Sequence, residues 1–267
     1  MEENSPPDRL ISPRIDAPLA RLGETGKFVG RFFLEVVRPP YHISEVIRLC
    51  VELGVKTLPL VTLTGAITGL VFTQQSRPSL ATFGAESWLP SLVTTSLVRS
   101  LAPLITALLC AGKVGSSIGA ELSSMKVTEQ IEALEVSAVD PYNYLVVPRT
   151  LATTLMIPVL TAYFAIVGYL GSWVNVRVVD GMSLIAFNQA AFSVTDMVDV
   201  GGALFRALTY GFTIGIIASM AGFYAGQGTR GVGRAANAAV VQAMVTIFIE
   251  EMMIVQLLNA IRGDAGV

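Results

Sequence analysis

Five windows of about 20 mostly apolar residues punctuate the chain, at about 51–72, 89–111, 151–174, 202–225 and 238–261. About 20 helical residues are needed to cross a hydrocarbon core about 30 Å thick, so each window is long enough to span a bilayer. An earlier stretch, Leu19–Val37, follows another rule. Leu19, Leu22, Phe28, Val29, Phe32, Phe33 and Val36 recur at helical spacing, while Arg21, Glu24, Lys27, Arg31 and Glu35 fill positions between them. That alternation predicts an amphipathic helix in the headgroup plane, too charged to span; an amphipathic helix packed on protein is the alternative. The pattern divides the chain into a polar tail over 1–17, an interfacial helix and connector over 18–45, and a membrane domain over 46–262. The predicted fold class is an all-α polytopic membrane protein with about five transmembrane helices, preceded by the amphipathic interfacial helix.

Composition strengthens this reading. Of 267 residues, 52% are hydrophobic and only 14% charged, against about 25% charged in soluble domains. The formal net charge of −2 offers no basic field for nucleic acid. Cys50 and Cys110 both lie in apolar stretches and read as inert small hydrophobes, and the single His42 reads as an interfacial loop residue. No metal site is expected. The first 17 residues lack the apolar core of a signal peptide, so insertion through the first span is expected.

The flanking cations orient the spans. With the amino terminus cytoplasmic, the inner segments hold Arg9, Arg14, Arg21, Lys27, Arg31, Arg38, Arg48, Lys113, Lys126, Arg149, Arg230 and Arg234, and the outer segments only Arg77, Arg177 and Arg262. The asymmetry predicts amino terminus in and carboxyl terminus out.

Small residues recur at close-packing spacing in Gly65/Gly69, Gly115/Gly119 and Gly211/Gly215, which lets helix backbones approach in lipid. Pro103 and Pro158 lie within spans and can kink them. Gly226, Gly228 and Gly231 match G-x-G-x-x-G but follow an apolar span rather than a strand, so a turn is the better reading. Ala111-Gly112-Lys113 resembles the end of a phosphate-binding loop, yet residue 107 is Ala and Val114 replaces the metal-binding hydroxyl.

The stretch from Gly112 to Arg149 reads as a long soluble connection. Within it Lys126–Val136 predicts one short acidic helix on the cytoplasmic side, with Val127, Ile131 and Leu134 on one face and Asp140-Pro141 ending it. Both a docking element and a solvated loop helix fit this pattern.

Charges at membrane depth are the candidate chemistry. Arg99, Arg206, Glu250 and Glu251 fall inside the apolar windows, where an ionisable side chain usually faces a cavity or a partner. They fit either a structural ion pair or the polar lining of a cavity that admits charged headgroups. Lys56, near a span end, reads as snorkelling to the interface. The windows contain no Asp and no Ser-His pair, which argues against an intramembrane enzyme; an ion-coupled secondary transporter using these charges, or a membrane scaffold, stays open.

The order and spacing of Ala111-Gly112-Lys113-Val114-Gly115-Ser116, Ala120-Glu121, Thr128-Glu129-Gln130, Asp140-Pro141, Pro148-Arg149 and Gly231-Val232-Gly233-Arg234-Ala235-Ala236 resemble the MlaE-type permease family over roughly residues 45–260. These are the membrane subunits of ABC transporters that move lipids with MCE-domain proteins. The resemblance implies the permease subunit of a lipid ABC transporter in a bacterial inner membrane. It implies a homodimer that binds two cytoplasmic ATPase subunits and sits beneath an MCE-domain protein on the outer side. No cofactor is implied in this chain, because ATP and magnesium would be bound by the partner ATPase, and no catalytic residue. The resemblance also implies that Arg99, Arg206 and Gln74 lie in the phospholipid-binding region, and Glu250 and Glu251 join them as candidate lining residues by their depth in the span, where this chain departs from the family pattern. Glu121, Lys126, Glu129, Gln130, Glu132, Ala133 and Leu134 would form or flank the coupling helix. Many members have Arg-Glu-Leu-Gly-Pro where this chain has Arg99-Ser100-Leu101-Ala102-Pro103. With the local glutamate absent, Glu250 or Glu251 is expected to balance Arg99 or Arg206.

Overall fold

A computed structural model describes residues 13–194 and 196–264, and all regular structure among the described residues is helical. The chain divides into two compact units, residues 1–41 and 42–267.

In the first unit, α1 (Pro13–Glu35) begins inside the segment expected to be a polar tail; residues 1–12 lie outside the described residues. Phe32 and Phe33 meet edge to face at 5.6 Å, and Phe33, Leu34, Val37 and Tyr41 are exposed. Arg38 pairs with Glu35 one turn back at 3.5 Å.

Among the described residues the second unit is a bundle of five apolar helical stretches long enough to cross a membrane: Ile43–Thr82, Glu86–Val127, Tyr142–Asp180, Met197–Phe223 and Thr229–Leu258. The protein is a multi-pass all-α membrane protein. The first stretch is α2 (Ile43–Thr82), whose 40 residues rise about 60 Å, roughly twice the hydrocarbon thickness. Its ends therefore extend beyond the window 51–72, and Glu45–Arg48 and Glu52–Lys56 pairs decorate the first turns. The second stretch is a composite rod of α3 (Leu89–Ser96), α4 (Ala102–Cys110) and α5 (Ser116–Val127), joined by wider π-type turns at Leu97–Leu101 and Ala111–Gly115. A third π turn, Tyr142–Val146, leads into α7 (Val147–Asp180). The short α8 (Leu184–Ala191) follows, with Ser183 capping its amino end by accepting from the Ala186 N–H at 3.3 Å. Then come α9 (Met197–Phe223) and α10 (Thr229–Asp264).

Two expectations are corrected here. The connection from Gly112 to Arg149 is not a long loop, because the second stretch stays helical to Val127 and the third begins at Tyr142. The single helix expected over Lys126–Val136 is broken. Thr128 turns its hydroxyl back onto the Ser124 carbonyl at 2.9 Å, Glu129 adopts the left-handed conformation (φ 58°), and α6 (Gln130–Val136) starts afresh. Nor does Asp140-Pro141 end it. The helix stops at Val136, Ala138 takes φ 58°, and the Asp140 carboxylate accepts the Tyr142 N–H at 2.9 Å, so this dipeptide opens the next helix.

Packing follows the small residues. A Cβ at Gly171 on α7 would lie 2.6 Å from the Ala66 carbonyl oxygen of α2, and one at Gly69 would overlap the Gly168 backbone. On α9, a Cβ at Gly211 would lie 2.7 Å from the Thr153 carbonyl oxygen of α7. Without side chains at these positions the backbones touch, and dispersion replaces the hydrophobic drive that lipid does not supply. The core between them holds Val61, Ile157, Leu160, Phe164, Tyr210, Ile214 and Ile247. By contrast α2 and α10 bury only 22% of their apolar windows and present Leu63, Ile67, Val245 and Phe248 outward.

Candidate functional site

Connectivity gives the bundle two ends. The α5–α6–α7 connection and the α9–α10 turn lie at one, and the α2–α3 turn and the α8 segment lie at the other. The charged residues at membrane depth gather toward the second end.

Arg99 sits in the π turn Leu97–Leu101. Its Nε donates to one carboxylate oxygen of Asp199 at 3.0 Å, and its Nη2 lies 2.9 Å from the same oxygen as an ion pair. Asp199 occupies the first turn of α9, with its side chain only 1% exposed. It belongs to a capping box, its second oxygen accepting the Asp196 N–H at 3.3 Å. The Arg99 side chain remains 44% exposed, so a guanidinium held on one edge is open on the other.

Arg206 lies two turns further along α9, and its side chain is 4% exposed. Its Nη1 donates to the Arg99 backbone carbonyl at 2.9 Å and to Glu251 at 3.0 Å. The carbonyl contact has a local cause. In an α-helix the Arg99 carbonyl would accept from residue 103, which is proline and has no N–H. The Arg206 guanidinium supplies a donor instead. The Tyr210 hydroxyl donates to the other oxygen of Glu251, and the Thr213 hydroxyl donates to Glu250 at 2.5 Å. The second oxygen of Glu250 is buried without a hydrogen-bond partner. Asp199, Arg99, Arg206, Glu251 and Tyr210 thus form one hydrogen-bonded chain from α9 through the π turn to α10.

The expected balancing of Arg206 by Glu251 is present. That of Arg99 by Glu250 or Glu251 is not, since its partner is Asp199. The fourth apolar stretch also contains an Asp, contrary to the reading of the window 202–225, because the helix starts at Met197. Gln74 is exposed on α2 and takes no part in this chain.

At the same end of the bundle is an apolar cavity of about 430 Å³, lined by Leu80, Trp88, Leu92, Thr95, Ser96 and Val194 among others. Leu92, Thr95 and Ser96 precede Arg99 at intervals that keep them near one face of the rod. Ser96, three residues before Arg99, is the lining residue nearest to it in the chain.

The other end is built differently. Ile131 of α6 is buried and Leu134 packs against the core, so α6 is anchored by one face and shows Glu129, Gln130, Ala133 and Val136 outward. Lys126 donates to Glu132 across the Glu129 turn, and that bond holds the Glu132 carboxyl below the usual carboxylate range. Glu121 accepts from Arg149 at 2.7 Å, tying α5 to α7, and the Arg149 side chain is buried. Lys113 donates to the Lys56 carbonyl, joining the Ala111–Gly115 turn to α2. Tyr144 of the third π turn meets His42 edge to face at 5.0 Å. Gly226 and Gly228 form the α9–α10 turn, with Gly228 at φ 79°, and Gly231 falls in the first turn of α10.

The family model for "Permease MlaE" matches residues 46–257 of this chain. A probable ABC transporter permease protein of Rickettsia typhi is 36% identical over 228 residues, covering 84% of this chain and 86% of the relative. The intermembrane phospholipid transport system permease protein MlaE of Haemophilus influenzae is 34% identical over 209 residues, covering 77% and 79%. The protein TRIGALACTOSYLDIACYLGLYCEROL 1, chloroplastic, of Arabidopsis thaliana is 29% identical over 236 residues, covering 88% of this chain and 67% of the relative. On this match over most of its length, with five apolar spans in a helical bundle, the chain belongs to the MlaE permease family of ABC transporter membrane subunits.

Proposed function

We propose that this permease moves phospholipid between membranes as a homodimer, driven by two copies of a separate cytoplasmic ATPase and working with an MCE-domain protein on the outer side. The observation that carries the lipid reading is the half-exposed Arg99 guanidinium at membrane depth, on the same rod whose preceding turns, through Leu92, Thr95 and Ser96, line an apolar cavity of about 430 Å³. An amphiphile satisfies both at once. Acyl chain fills the cavity, and a phosphate oxygen takes the free edge of Arg99 in a charge-assisted hydrogen bond. The relative named as a phospholipid transport permease supports the same substrate class. Arg206, buried and bonded twice, supports the frame of the site rather than the headgroup itself.

The flanking cations support an amino terminus in the cytoplasm and a carboxyl terminus outside, in a bacterial inner membrane. In that orientation α6 faces the cytoplasm. Glu129, Gln130 and Ala133 then meet the ATPase, while Ile131 and Leu134 hold the helix to the bundle. Closure of the ATPase pair would push α6, pass through Lys126–Glu132 and Arg149–Glu121 into α5 and α7, and rock the spans around the cavity. ATP and magnesium stay with the partner, and this chain contributes no hydrolytic residue.

The test is reconstitution of the permease with its ATPase in nanodiscs, with lipid carried through purification measured by mass spectrometry. Arg99→Ala should lower bound phospholipid at least several-fold, and Glu129→Lys with Glu132→Lys should remove permease-stimulated hydrolysis while the membrane domain stays folded. Unchanged lipid occupancy in Arg99→Ala would sink the headgroup assignment. Undiminished stimulation in the lysine variant would sink the coupling assignment.

A further inference from the structure

We infer that Asp199 sets headgroup specificity, so that the site accepts a phosphodiester lipid and discriminates against a dianionic phosphomonoester such as phosphatidate. The inference rests on the lipid reading above and concerns the charge of the same site.

The argument begins with the charge inventory. Arg99 is held by Asp199 through a hydrogen bond from Nε and an ion-pair contact from Nη2 at one oxygen, and Arg206 is held by Glu251. Glu250 stands beside it on α10, bonded to the Thr213 hydroxyl, and Asp196 stands at the amino end of α9. The carboxylates of this cluster outnumber its two arginines, so among the described residues the cluster holds no surplus positive charge. Asp199 cannot swing away to release Arg99, because it is buried and its other oxygen is fixed in the capping box.

A ligand phosphate therefore meets an arginine that is already neutralised. It gains directional hydrogen bonds from the outer guanidinium edge, but no uncompensated cation. A phosphodiester brings one negative charge, and in ethanolamine or choline lipids it carries its own cation. A phosphomonoester has a second pKa near 6 and carries about −1.5 to −2 at pH 7. Placing that extra charge beside Asp199 and Glu251 in a low-dielectric cluster is opposed by electrostatics that water does not screen. Asp199 therefore has two effects: it orients the guanidinium, and it removes the field that would select the more highly charged lipid.

The experiment uses the full chain in nanodiscs containing phosphatidylethanolamine and phosphatidate in known proportion. The ratio of the two lipids retained on extraction is read by mass spectrometry. The wild-type protein should retain phosphatidate below its bulk proportion. Asp199→Asn keeps an amide oxygen able to accept the Asp196 N–H but removes the counter-charge, and should shift the ratio toward phosphatidate by about tenfold. Asp199→Glu restores the charge and should return the ratio toward wild type. If Asp199→Asn lowers both lipids equally, or leaves the ratio unchanged, Asp199 is structural and the inference is overturned. A wild-type protein that retains neither lipid above background would instead overturn the lipid reading on which it rests.

Discussion

Replacing Arg206 with Met removes one donor that serves two acceptors, and the structure allows the cost to be divided. Losing one member of a buried ion pair costs roughly 3–5 kcal/mol. Tyr210 still donates to Glu251 in the variant, so we place the loss near the lower end, about 3 kcal/mol. For a chain of this size that corresponds to a fall in Tm of about 6–12 °C. Adding Glu251→Met removes the stranded carboxylate and should recover part of the loss, since it also takes the acceptor from the buried Tyr210 hydroxyl. It leaves the Arg99 carbonyl unserved, because Pro103 has no N–H. The double variant should therefore stay about 1–2 kcal/mol below wild type. Pro103→Ala supplies the missing donor. In the double-variant background it should gain about 1 kcal/mol, and in the wild type, where Arg206 already occupies that carbonyl, much less. Thermal unfolding of the purified chain in one detergent, followed by intrinsic fluorescence, measures all six proteins: wild type, the two single variants, the double variant, and Pro103→Ala in the wild-type and double-variant backgrounds. Two results would refute the reasoning: strictly additive losses for Arg206→Met and Glu251→Met, or a Pro103→Ala effect independent of Arg206.

Three further outcomes follow from other parts of the bundle. Gly211→Leu, whose Cβ would lie 2.7 Å from the Thr153 carbonyl oxygen, should lower Tm steeply or abolish the folded protein, whereas Gly233→Leu, with open space around it, should not; equal Tm values would contradict the packing. The Glu132 carboxyl is held below its usual range by Lys126, so the pair's contribution is present above the unfolded carboxylate pKa and is lost as pH falls through the folded one. The Tm difference between wild type and Glu132→Gln should shrink on acidification, and a difference that grows would reverse the sign. Ile131→Asp removes the buried anchor of α6 and should remove ATPase stimulation while the five-span body keeps its helical content by circular dichroism. Normal stimulation would show that α6 needs no anchor.

The spans were legible because lipid imposes a single demand, that about 20 apolar residues satisfy their backbone polar groups internally. Where that demand stops, hydropathy stops reporting. Charged turns such as Glu45–Arg48 continue α2 past its window. The stretch from Gly112 to Val127 was read as soluble because Lys113, Glu121 and Lys126 lower its hydropathy. A signal was nevertheless present: Val114, Ile118 and Leu122 recur every fourth residue, and all three are buried. The break at Glu129 had no comparable signal, since a non-glycine residue at φ 58° is fixed by its surroundings rather than by its own preference.

The charged cluster was legible in part for a related reason. Arg206 and Glu251 stand out because both interrupt apolar windows. Asp199 was missed because it lies three residues before the window at 202, where an acid is unremarkable, although Asp196-x-x-Asp199 ahead of an apolar run is a helix-start pattern. Its consequence reaches beyond the cap. The two arginines that sequence alone treats as equivalent are given different tasks by a proline and an aspartate. Pro103 leaves the Arg99 carbonyl without its helical donor, and Arg206 is buried between that carbonyl and Glu251. Asp199 takes one edge of Arg99 and leaves the other open. Exchanging the tasks would require moving the proline as well as the acid. A charge at membrane depth is therefore assigned to fold or to function by the backbone groups its neighbours leave unpaired, and hydropathy carries no record of those.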